Sequence, residues 1–158
     1  MANLQVELRP PTAQNRLYHS HNGYYERSLL TLVSIQRGRR TYTINLDGLV
    51  LMDLDANHAL RTVEVTIERD GWRVAPPPDL PHPIPAANVV FVNLVGEGEL
   101  VEGRKVAVFT DAQFSFTYIV LGEQHAMLEW VALSDHVFAA LADGYLHGFY
   151  VRFADRHP

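Results

Sequence analysis

Two stretches of this chain end alike, and that likeness constrains the fold more than any other feature. Leu60-Arg61-Thr62-Val63-Glu64-Val65-Thr66-Ile67 lies over Leu146-His147-Gly148-Phe149-Tyr150-Val151-Arg152-Phe153 at one constant offset, and the turn pairs Asn57-His58 and Asp143-Gly144 fall together just before them. Such repetition reads as a β-unit used twice. A unit of roughly 70 residues has a core that supplies only about 3–5 kcal/mol by itself. With no cysteine available for a disulfide, the two units are expected to pack as one cooperative body.

The joint between them is marked by proline. Ala75 to Pro85 holds six of the nine prolines, and such a run favours an extended conformation that neither continues a helix nor donates to a ladder. The expected organisation is a first β-meander over 1–74, a Pro-rich connector over 75–86 and a second β-meander over 87–158. Tyr42-Thr43-Ile44-Asn45-Leu46 and Val63-Glu64-Val65-Thr66-Ile67-Glu68 alternate apolar with polar, as half-buried antiparallel strands do. Leu29–Ile35, Leu49–Leu54 and Val89–Val95 are nearly continuous apolar runs, short enough to be strands covered on both sides. Gln36-Arg37-Gly38-Arg39 and Asp47-Gly48 supply reversals. Ser134 to Ala142 is ambiguous, since it carries a cap-like Ser, good helix formers and Gly144 beyond its end. Its repeat partner, Leu49–Leu54, is strand-like, and the repeat favours a strand. The expected fold is all-β: two similar antiparallel meanders packed as a sandwich or closed into a barrel of about ten strands.

Phe116-Thr117-Tyr118-Ile119-Val120-Leu121, then Glu129-Trp130-Val131, then Ala142-Asp143-Gly144-Tyr145-Leu146-His147-Gly148-Phe149-Tyr150-Val151 resembles a short β-rich bacterial domain family of unknown function, here apparently in tandem. Val50 to Leu60 is similar to the same core, with His58 and Thr62 where the family pattern has glycines. The resemblance implies a β-hairpin architecture and brings no catalytic residues with it.

Composition narrows the function. Thirteen basic against eighteen acidic residues give a net charge of -5, a field that repels nucleic acid. The start, Met-Ala-Asn-Leu-Gln, has no basic and apolar leader pattern, and no stretch approaches about 18 consecutive apolar residues. A cytoplasmic protein that avoids nucleic acid and membranes is expected.

Several motifs carry candidate chemistry. His19 and His21, with Glu26 five positions beyond His21, have cupin-like metal spacing, and on a strand the two imidazoles share a face. The flanking glycines and a third histidine of that motif are missing. Asp53 to Glu64 imitates a calcium loop, but His58 stands where the loop needs glycine and both flanks alternate like strands. Gly96 to Lys105 reads as a solvated acidic loop, and Ser134-Asp135-His136 as a turn rather than a relay. Arg37, Arg39 and Arg40 cluster at a hairpin tip that could hold an anionic partner, and Phe114, Phe116 and Tyr118 share a strand face that could line a pocket. No residue earns a catalytic assignment and no cofactor is expected. The leading expectation is a small non-catalytic binding protein, accessory or immunity-like, that contacts an unidentified protein and is able to form a homodimer. The alternative is a ligand-binding barrel or cupin-like metal-dependent enzyme, with a divalent metal on His19, His21 and Glu26.

Overall fold

The computed structural model describes residues 4–11, 31–34, 41–67, 71–94, 98–101, 105–113, 115–122 and 127–152. These form β1 (Val6–Arg9), β2 (Thr31–Ser34), β3 (Tyr42–Leu46), β4 (Val50–Leu54), β5 (Leu60–Val65), β6 (Arg73–Val74), β7 (Asn88–Phe91), β8 (Gly98–Val101), β9 (Val106–Thr110), β10 (Phe116–Leu121), β11 (Glu129–Ala132), β12 (Val137–Ala142) and β13 (Tyr145–Arg152). The architecture is all-β in three sheets: β2-β5-β4-β3-β8, β11-β12-β13-β10-β9-β6 and the ribbon β1-β7. Among the described residues none of these sheets closes on itself as a barrel.

Local chemistry explains the hairpins. Tyr42–Leu46 and Val50–Leu54 each bury alternate residues, as period-two patterning demands. Asp47 and Gly48 both have positive φ, the backbone that a tight two-residue reversal needs, and Asn45 Oδ1 accepts from Gly48 N at 2.7 Å. Asp143 and Gly144 repeat that pair of positive φ angles between β12 and β13. In the turn before β5, Asp55 Oδ1 accepts from Asn57 N at 2.8 Å and Ala59 N at 3.0 Å. The calcium-like run is thus a hairpin in which Asp55 is engaged by its own backbone. Residues 137–142 form a strand, in agreement with the repeat and against their helical propensity.

Two four-stranded arrays correspond strand for strand. β2-β5-β4-β3 has the order of β10-β13-β12-β11. Thr31 pairs with Val65 as Thr117 pairs with Val151, and Val33 pairs with Val63 as Ile119 pairs with Phe149, all at one offset of 86 residues. Both central hairpins shift register at the same place, between Asp53 and Leu54 and between Ala140 and Leu141, with Arg61 and His147 as the extra residues. Thr66 N donates to Leu49 O, and Arg152 N to His136 O, at matching positions.

The ribbon ties the arrays together crosswise. β1 pairs with β7, and each also docks on the opposite half: Val6 N donates to Gly144 O at 2.9 Å, and Phe91 N to His58 O at 3.0 Å. One contiguous core draws on all three sheets, with Ile44, Met52, Leu54 and Val63 from the first array, Ile119, Val131, Leu141 and Phe149 from the second, and Leu4, Val89 and Phe91 from or beside the ribbon.

Three features differ from the sequence expectation. There are thirteen strands among the described residues rather than about ten. The sheets are mixed, because β8 joins β3 in parallel and β6 joins β9 in parallel. Residues 98–101, expected in a loop, are that parallel strand, since an open edge beside β3 can satisfy a backbone that short-range composition assigns to solvent.

Candidate binding groove

The outer faces of the two arrays carry opposite chemistry. On the first, Thr43, Asp53 and Thr62 stand in one cross-strand row, where Asp53 accepts from the Thr43 hydroxyl at 3.0 Å and from the Thr62 hydroxyl at 2.9 Å. The matching row of the second array is Trp130, Ala140, Gly148 and Val120. Ala140 and Gly148 are small, so the indole extends over β12 and β13 until its ring centre lies 6.0 Å from that of Tyr118 on β10. The next row is an aromatic ladder, Phe109, Tyr118, Tyr150 and Phe138, in register across four strands. Tyr150 lies 5.6 Å from Phe116 and 6.0 Å from Phe138, and the Arg152 guanidinium stacks 4.7 Å above the Phe138 ring.

Phe116, Trp130, Phe138, Ala140 and Tyr150 make a second apolar cluster, separate from the main core, with Tyr118, Leu80, Ile84 and Leu128 packed against it. The Pro-rich segment is therefore a strap over the aromatic face as well as a connector. Burial pushes the Tyr118 phenol above its usual range. It does the same to Tyr150, with Arg152 pulling the other way and Asp111 adding to the rise. At the end of β9 the Ser115 hydroxyl bonds the Asp111 carboxylate, and this contact, with the Ser115 backbone N–H, holds Asp111 below the ordinary carboxylate value.

Between strap and sheet edge lies an open groove of about 480 Å3, lined by Pro78, Asp79, Leu80, Pro81, Leu128 and Trp130. Trp130 and Leu128 form its floor, proline its lip, and Asp79 is its one charged lining residue among the described residues. That combination is an open cleft in which polar and apolar surface share the lining about equally, with a carboxylate available to fix orientation. Among the described residues its lining holds no nucleophile beside a base and no pair of acids.

Phe116 and Tyr118 sit in the aromatic cluster behind the groove and are not among its lining residues. His19, His21, Glu26, Arg37, Arg39, Arg40 and Phe114 lie outside the described residues. Among the described residues, no three His, Cys, Asp or Glu side chains converge on a point where a metal could sit. No helix there is long and apolar enough to cross a membrane, a statement that does not bear on β-barrel spans. Ser134-Asp135-His136 occupies the turn into β12, where Ser134 Oγ accepts from His136 N at 3.3 Å. Sequence reasoning passed over Trp130, Leu128 and Asp79 as a site. The available signal was Leu128 and Trp130 on one strand face together with proline at alternate positions 83 and 85.

The fold and groove define an all-β protein built from two matching arrays, one of which carries an open cleft at its edge. No protein-family model matches the chain, and no curated protein does.

Proposed function

We propose that the chain is a small non-catalytic binding protein of bacterial accessory or immunity type, cytoplasmic, which works by contact with another protein. The observation that carries this reading is the groove beside Trp130, an open cleft of mixed apolar and polar lining at the β11 edge, whose one charged lining group among the described residues is Asp79. We also read the two arrays as a tandem duplication, supported by their shared strand order, register and bulges. On that view one copy kept a polar outer face, and the other took on aromatic residues and the strap.

Native mass spectrometry of untagged protein, purified from cells that make it naturally, tests the function. The expected spectrum shows the chain without metal or organic adduct and with a second protein in fixed stoichiometry, a complex lost on Leu128→Glu. A metal adduct that disappears when His19 and His21 are both changed to Ala would overturn this reading and establish the metalloenzyme instead.

A further inference from the structure

The edge of β11 is open for a reason written in the strap. Ala86 pairs with Ala132 in parallel: Ala132 N donates to Pro85 O at 2.8 Å, and Ala87 N to Ala132 O at 3.0 Å. Residues alternate sides along a strand, so Trp130 directs its own N–H and C=O toward the same outer edge as Ala132. Carried back two residues, the parallel ladder would need Pro85 to donate to the Trp130 carbonyl, and two further back it would need Pro83 to donate to that of Leu128. Neither proline has an N–H. No described residue bonds the Trp130 main chain on this side, and the strap diverges there to form the groove. At the matching edge of the first array, β8 pairs with β3 over four residues, Thr43 to Leu46.

An edge whose outward backbone groups take no bond from the described residues, beside the side chains of Trp130 and Leu128, is the geometry of strand addition. The charge of the site narrows the occupant, because Asp79 lies on the lip and the whole chain carries -5. We propose that the groove takes a short extended segment of a partner protein, adding to β11 at Trp130, with an apolar side chain over Trp130 and Leu128 and a Lys or Arg beside Asp79. This rests on the binding-protein reading and names the partner's chemistry.

The test titrates the isotope-labelled full chain with the capped peptide Lys-Val-Leu-Val-Lys. Controls are its Glu-flanked counterpart and a version N-methylated at Leu. Chemical shifts and amide exchange at Trp130 are followed by NMR. The basic peptide should shift and protect the Trp130 amide and bind about two- to fivefold more tightly than the acidic one, as one exposed ion pair allows. N-methylation should weaken it, and Asp79→Lys, an exposed change that leaves the core untouched, should reverse the charge preference. Equal affinity for the two charge types, shifts remote from Trp130, or insensitivity to both Asp79→Lys and Leu128→Glu would overturn the inference. So would shifts at Trp130 that grow with protein concentration without peptide, which would make a second copy the occupant. A native protein complex that survives Leu128→Glu removes this inference and leaves the binding reading standing. A metal or organic adduct with no protein complex removes that reading itself.

Discussion

β3 and β11 occupy the same place in two arrays of identical strand order, and their outer edges have been treated in opposite ways. Along β3 the edge is sealed by β8, whose residues Gly98 to Val101 all have N–H groups to give. Along β11 the seal stops after Ala132, because the strap offers Pro85 and Pro83 where donors are needed. The outer faces diverge as sharply, with a Thr-Asp-Thr row against Trp130 lying over Ala140 and Gly148. The inner faces do not diverge: Val50, Met52 and Leu54 stand where Val137, Ala139 and Leu141 stand, all in one core. Inward residues are held to apolar character by the shared core, whereas outward residues answer to whatever each face meets. The difference between the arrays therefore locates the surface on which they have separate tasks.

The largest expected break in this correspondence is at Gly148. A Cβ there would fall 2.3 Å from the Ile119 carbonyl oxygen, a backbone atom that cannot swing aside. Gly148→Val should cost more than about 3 kcal/mol, as overpacking at a fixed backbone does at its upper end. Thr62 holds the matching position, and Thr62→Val should cost only about 1 kcal/mol, for the hydroxyl bond to Asp53. Urea denaturation of the pair checks this, and equal costs would mean that the two positions are packed alike after all. Next comes Trp130→Ala, which empties the second cluster and should cost about 3–5 kcal/mol. Its counterpart Thr43→Ala should again cost about 1 kcal/mol, and similar values for the two would deny that the aromatic face is a second core.

How much of this was visible in the chain depends on the range of the interactions. β3 and β5 were legible because period-two alternation acts locally, β4 as a short apolar run after the Asp47-Gly48 reversal, and β13 through its likeness to β5 and the pair Asp143-Gly144. β12 was legible only through the repeat, since its own Ala and Leu residues favour helix. The parallel addition of β8 to β3 left no local mark, because parallel partners are brought together by tertiary packing. The crosswise docking of β1 and β7 was hidden for the same reason. At the site, the prolines marked an extended segment but not the aromatic face that the segment covers. Trp130 became meaningful only when register put Ala140 and Gly148 under its ring.

A smaller effect of opposite sign is expected at Thr117. It lies fully buried in β10, opposite Val151 on the core side, and its hydroxyl has no hydrogen-bond partner among the described residues. A buried hydroxyl without a partner carries its desolvation cost uncompensated. Thr117→Val should therefore stabilise the fold by about 1 kcal/mol, read as a rise in the urea midpoint at unchanged slope. A loss of stability would show that the hydroxyl is served by a bound water, and that the second array is less dry than the first cluster implies.

The smallest expected effect separates the arrays by pH. At one register position the second array has Tyr118 and the first has Leu32, which does not titrate. Burial favours the neutral phenol of Tyr118, so its folded value lies above the ordinary 10.0. Below the pH at which the unfolded phenol ionises, both states hold the proton and the contribution to stability is complete. As pH rises, the unfolded chain releases its proton first, and the contribution is lost progressively until pH has passed the folded value. Tyr118→Phe should flatten the alkaline fall in stability without changing its value near neutrality beyond the loss of one hydroxyl. Tyr150, raised by burial against the pull of Arg152, should account for part of the slope that remains. Denaturation midpoints of the two proteins across the alkaline range decide it: an unchanged slope would place the Tyr118 hydroxyl in water, and the aromatic face would then be open where the cluster has it covered.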